Sequence, residues 1–162
     1  MLTNAQLIIL RDDILADPIL DAFPNTPDGA AGIAEIYNAD AVPDFFIWRS
    51  SVPTHDVKEV IVWTEYIALG AAEKSTFELI VSNGIVDATN ANVRDGLATI
   101  FSGPENAGTR TALLNLVARN ATRAEALFAD TTSGSGATRG SSATPFIEGN
   151  IAYQDVQHAR SL

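Results

Sequence analysis

Helix start and stop signals recur so closely along this chain that no long helix fits between them, and that spacing constrains the fold more than any other feature. Thr3 and Asn4 are cap residues, and Leu7, Leu10 and Ile14 follow at helical spacing. Asp17-Pro18 interrupts the pattern, and a short ILDAF turn follows. Thr26-Pro27 places a cap residue before a proline at the first helical position, where the missing N–H has no intrahelical partner to lose. A helix GAAGIAEIYNA is therefore predicted, with Ile33, Ile36 and Tyr37 on one side; Gly29 and Gly32 count against it. Thr54 caps a helix through about Val62, and Trp63-Thr64 begins another. Ser75 and Glu78 have capping-box spacing, and Asn83-Gly84 reads as a left-handed helix stop with Ile85 beyond it. Thr89 or Asn90 caps a helix to Phe101, Gly103-Pro104 separates it from one ending near Ala118, and Thr122 with Glu125 forms a second capping box before RAEALFA.

Short connections between short helices favour antiparallel neighbours. The predicted fold class is mainly α, a compact bundle of short helices. Val42 to Arg49, VPDFFIWR, is the exception: its aromatics lie between Pro43 and the Ser50–Pro53 turn, and it reads as extended. A small β-hairpin between VPDFFIWR and PFIEGNIAY is an alternative to a pure bundle.

The chain's last third has a different texture. TTSGSGATRGSSAT, Thr131 to Thr144, has the Gly/Ser composition of a flexible linker. The expected organisation is a helical domain over 1–130, a linker over 131–144 and a C-terminal docking segment over 145–162. Phe146, Ile151, Tyr153 and Val156 supply that arm with apolar side chains for a neighbouring subunit; docking back onto its own body is the competing arrangement. At 162 residues, one domain with a substantial core is the default.

Composition narrows the chemistry. With no cysteine, disulfides, thiolate metal sites and a cysteine nucleophile are excluded. The net charge is −10, and the ten basic residues are scattered rather than clustered, which disfavours binding to a phosphate backbone. No apolar run approaches the roughly 20 residues of a membrane span. MLTNAQLIILRDD lacks a basic leader and does not read as a signal peptide.

Candidate chemical groups are few. His55 beside Asp56 resembles a base with its orienter, but reads more simply as a solvated helix N-terminus where Asp56 complements the dipole. His158 falls in an end helix with Gln154, Asp155 and Gln157 that reads as exposed. Asp13 and Asp17 lie one turn apart, with Asp12 beside them; they have the spacing to share a divalent cation, against the plainer reading of a solvated acidic face. Gly134 to Ser141 fails the phosphate-loop pattern, and no Gly-x-Ser-x-Gly elbow occurs. Asn120-Ala-Thr122 matches a glycosylation acceptor by pattern alone. No catalytic, cofactor-binding or metal-ligating residue is assigned, and no cofactor is expected.

The sharpest candidates are for contact. In an extended segment Phe46 and Trp48 share one face, and Phe45 and Ile47 the other. Either both faces are buried within the monomer, or one meets a partner with Arg49 beside it, since aromatics and arginine dominate interface anchors. The candidate interface residues are Phe45, Phe46, Trp48, Arg49, Phe146, Ile151 and Tyr153.

From Pro43 to Ala129, including VWTEYIALGAAEKSTFELIVSNGIVDATNANVRDG, and again in the closing FIEGNIAYQDVQ, the chain resembles small virion structural proteins of tailed bacteriophages. The likeness lies in overall wording and supplies no catalytic residue. It implies a non-enzymatic structural part of the particle, with the size and helical character of neck or head–tail connector (portal adaptor-type) proteins. It further implies a homo-oligomeric ring meeting portal or tail components, assembled in the host cytoplasm and located in the virion. Capsid decoration or a tail role is the alternative in the same class. A small hydrolase using an unrecognised carboxylate pair, or a soluble module binding a basic protein, is the alternative in another.

Overall fold

A computed structural model describes residues 1–162. Along the chain run α1 (Asn4–Ala16), α2 (Pro18–Asp21), α3 (Pro27–Asn38), β1 (Phe46–Trp48), β2 (Val52–Pro53), α4 (Thr54–Glu59), α5 (Trp63–Ala68), α6 (Ala71–Ile80), β3 (Ile85–Val86), α7 (Ala91–Ile100), α8 (Ala107–Val117), β4 (Ala118–Asn120), α9 (Arg123–Leu127) and α10 (Tyr153–Arg160). The protein is mainly α, and its strands form only two-stranded sheets, β1 with β4 and β2 with β3. No helix is long and apolar enough to cross a membrane.

The chain divides into two interleaved units. The first comprises Met1–Phe45, Asn120–Asp130 and Pro145–Leu162; the second comprises Phe46–Arg119 and Thr131–Thr144. This replaces the expected division into a 1–130 domain, a linker and an arm.

In the first unit α1 begins at a capping box: Gln6 N–H donates to the Thr3 hydroxyl, and Thr3 N–H to the Gln6 side chain. One α1 face buries Leu7, Leu10 and Ile14, and α3 adds Ile33 and Tyr37. Gly29 and Gly32 prove to be requirements of α3. A Cβ at Gly29 would stand 2.0 Å from the Pro24 carbonyl oxygen, and one at Gly32 would stand 2.7 Å from the Phe23 ring. The helix packs on the preceding turn only because both lack side chains.

The C-terminal segment belongs to this unit. α10 packs on α1 and α3, and Ile151, Val156 and Ala159 are buried in the same core. Polar groups fix it as well. Asn38 brackets Ile151, donating to its carbonyl (3.0 Å) and accepting from its N–H (2.9 Å). Gly149 N–H donates to Glu125 (2.7 Å). Asp155, read from sequence as exposed, is buried and accepts from the backbone N–H groups of Leu2 and Ala152, both at 3.0 Å. The competing arrangement, docking on its own body, is the one observed: the unit's core is incomplete without these side chains.

The second unit is centred on Val52, Val57, Phe77, Val86, Leu97, Phe101, Leu113 and Val117. β2 pairs antiparallel with β3 in the register Val52↔Val86 and Pro53↔Ile85. Gly84, at φ +78°, makes the turn into β3, as its expected left-handed conformation requires. Helix α6 stops earlier than expected, at Ile80, and starts earlier, at Ala71, where the Glu73 carboxylate accepts from Gly70 N–H (2.7 Å).

The stretch read as a linker is ordered against β1. Phe46 N–H donates to the Gly136 carbonyl (2.8 Å), Ala143 N–H to that of Phe46 (2.9 Å), and Trp48 N–H to that of Ala143 (3.0 Å). Ser142 and Ala143 are fully buried. Arg139 donates to the Ala118 carbonyl and lies over the Phe46 ring, 4.9 Å from its centroid. The hairpin between VPDFFIWR and PFIEGNIAY does not form. FIW finds backbone partners in β4 and Ala143 instead, so its hydrogen-bonding groups are already satisfied.

Candidate functional site

The first unit holds a cavity of about 740 Å³. Ile36, Ala126 and Leu127 give it apolar wall, Asp40 and Asp44 are exposed carboxylates on its lining, and Asp13 and Arg123 also line it. Arg123, the first residue of α9, is positioned by the Thr122–Glu125 capping box. Its Nη2 lies 3.1 Å from Asp13 Oδ2 and 3.0 Å from Asp17 Oδ2. The pair read as a possible cation site therefore clamps a guanidinium. The buried Tyr37 donates its hydroxyl to Asp13, and Arg123 lies over its ring at 4.9 Å.

Charge explains the titration of this cluster. The hydrogen bond from Arg123, helped by the Ile19 N–H, holds the Asp17 carboxyl below its ordinary value. Burial, reinforced by the bond to Asp13, raises the Tyr37 hydroxyl well above its own. Chemically the cluster is a hydrogen-bonded cross-link from α1 to α3 and α9. Sequence reading missed Arg123 as its centre. The available signal was two acids one turn apart and an arginine opening a short helix.

His55 and Glu59, on α4, stand 3.2 Å apart on an exposed face, with Asp56 beside them. The ligand atoms of all three lie within 4.8 Å of one another. This is the predicted first turn of a helix, with Asp56 near its N-terminus. His158 is exposed on α10.

The seven predicted contact residues separate. Trp48 and Ile151 are buried in the cores of their own units. Phe45, Phe46 and Arg49 are half-buried; Arg49 donates through its side chain to the Leu116 carbonyl (3.2 Å). Phe146 and Tyr153 are exposed.

Large apolar side chains are also exposed on the helix that opens at Trp63. On α5, Trp63 is 56% exposed and Ile67, one turn later, 68%. Trp63 meets Tyr66 edge-to-face at 5.4 Å, Tyr66 meets Phe77 at 5.5 Å, and Phe77 meets the fully buried Phe101 at 5.9 Å. The exposed indole is thus rooted in the core through a chain of aromatic contacts. Glu65 pins the same helix by accepting from Gly108 N–H (3.2 Å) and Thr109 N–H (2.8 Å). Bonds from Thr109 hold its carboxyl below the ordinary range. In the first unit, Ile8 and Leu15 on α1 and Ile19 on α2 are also exposed.

Comparison with protein-family models, with curated proteins and with solved structures finds no match.

Proposed function

We propose that this chain is a structural subunit of a tailed-phage virion, of the neck or head–tail connector kind, acting through protein–protein contacts and not as an enzyme. The observation that carries the reading is the rooted pair Trp63 and Ile67. Large apolar side chains held rigidly at a surface lose little entropy when covered, which makes them good anchors. In the first unit the exposed Ile8, Leu15 and Ile19 are further apolar side chains available for contact. The resemblance to small phage virion proteins supports the same reading. The net charge of −10 supports protein rather than nucleic-acid partners. On this reading the subunit is a homo-oligomer in the particle, assembled in the host cytoplasm, with portal or tail components as neighbours. Capsid decoration or a tail position is the alternative placement.

The hydrolase alternative rests on no particular carboxylate pair; Asp13 and Asp17, which have the spacing to share a cation, are engaged by Arg123. The test of the structural role is mass spectrometry of purified particles from the bacterium carrying the gene, with cross-linking to identify neighbours. The chain is expected in the particle at a fixed copy number, cross-linked to itself and to portal or tail proteins. Its absence from particles overturns the proposal.

A further inference from the structure

The second unit contains a separate cavity, of about 290 Å³, that the contact surfaces do not use. Leu97, Leu113, Leu114 and Val117 line it from α7 and α8, and Trp48 lines it from β1. Its charged lining is Arg94, Arg110 and Asp95, two positive groups against one negative, which leaves one net positive charge. The whole chain carries −10, so this is a local reversal of sign.

The donors are fixed but not exhausted. Arg94 Nη1 donates to the carbonyls of Ala88 (2.7 Å) and Thr89 (2.8 Å), and its guanidinium lies over the Trp48 ring at 4.8 Å. Arg110 Nη1 donates to the carbonyls of Phe101 (2.7 Å) and Gly103 (3.2 Å). A guanidinium has five N–H donors, so Nε and Nη2 of each remain for another acceptor. Trp48 is 7% exposed, and no group of the chain accepts from its buried Nε1–H.

We infer that this cavity binds a small organic carboxylate, its apolar body against Leu97, Leu113 and Val117 and its carboxylate received by Arg94 and Arg110. Three features select that class. A carboxylate matches the planar fork of a guanidinium. A single negative charge balances the net charge of the lining, whereas a phosphate dianion exceeds it. The walls are apolar, and the volume sits near the lower bound of small-molecule sites, roughly 300 Å³, which suits a short chain. The inference is independent of the assembly role.

Octanoate, 1-octanol and inorganic phosphate are the probes, titrated into the unaltered full chain by calorimetry. The indole N–H signals are followed in parallel by NMR. Trp63 is the internal reference, and Trp48→Phe assigns the two signals. Saturable octanoate binding is expected, with a shift of the signal of Trp48, which lines the cavity, and little change at Trp63. Octanol should bind about tenfold or more weakly, the cost of losing a charge-assisted hydrogen bond. Arg94→Gln and Arg110→Gln should each weaken octanoate by a similar factor while leaving octanol unchanged. Equal affinity for octanoate and octanol, phosphate binding as tightly as octanoate, or no saturation at millimolar concentration each overturns the inference. All three outcomes are read on the unaltered protein, so a variant that fails to fold does not rescue it.

Discussion

Arg123 converts two acidic side chains on neighbouring turns, Asp13 and Asp17, into partners of one cation. Asp17 is depressed by that contact, so the unfolded chain takes up its proton at a higher pH than the folded one. Its stabilising contribution is therefore complete above the ordinary value of 3.8 and is lost as pH falls through the lower folded value. Asp17→Asn is expected to melt below the wild type at pH 6, with the gap closing as the pH drops below about 4. Thermal melts by circular dichroism across that range check it; a gap independent of pH would show that the charge contact contributes nothing. Gly84 is a backbone case. A Cβ there meets nothing within 4 Å, so Gly84→Ala leaves packing alone and forces alanine into φ +78°. A loss of about 1 kcal/mol is expected by urea unfolding, and a neutral result would remove the left-handed assignment.

α10 is a short helix that carries more of the first unit than its length suggests. Val156 and Ala159 are fully buried against α1 and α3, and Asp155 ties the helix to Leu2. Deleting Pro145 to Leu162 is therefore expected to unfold the first unit rather than release an intact body. Val156→Ala gives the graded version of the same test: two methyl groups leave a closed site, for a cost of about 1–3 kcal/mol. A truncated chain with a native melt and native near-ultraviolet dichroism would restore the picture of an arm. The same logic applies to β1. Its backbone bonds to Gly136 and Ala143 hold a stretch whose own composition favours disorder.

The division into two units defines the molecule. Each unit is made of separated stretches, so no single cut through the chain yields either one whole. Stability and contact are then separable: the cores lie inside the units, whereas Trp63 and Ile67 are accessible on α5. Ile67→Ser should leave the melting temperature within a few degrees, since an exposed substitution costs roughly 0.5 kcal/mol or less, whereas Trp63→Ser also loses the edge-to-face contact with Tyr66, about 0.5–1.5 kcal/mol more. Self-association, followed by sedimentation velocity or by recovery in particles, should fall. Unchanged association with an unchanged melt would exclude α5 as the anchor.

Local signals settled local structure. The cap at Thr3, the capping box at Thr122, the proline entry at Pro27 and the left-handed conformation of Gly84 concern groups a few residues apart, so adjacent side chains and backbone groups suffice to specify them, whereas the helix expected to run to Gly84 ends at Ile80 and the capping box expected at Ser75 falls inside it. The mainly α class followed from their spacing. Only the tertiary structure decided what the polar stretch and the closing segment do. Their partners, Phe46 and Trp48 for the one and Leu7, Ile33 and Asn38 for the other, lie far along the chain. It likewise decided that Asp13 and Asp17 meet Arg123, more than a hundred residues away. Periodicity and capping report nearest-neighbour energies, and burial and charge pairing depend on which distant surfaces the chain brings together.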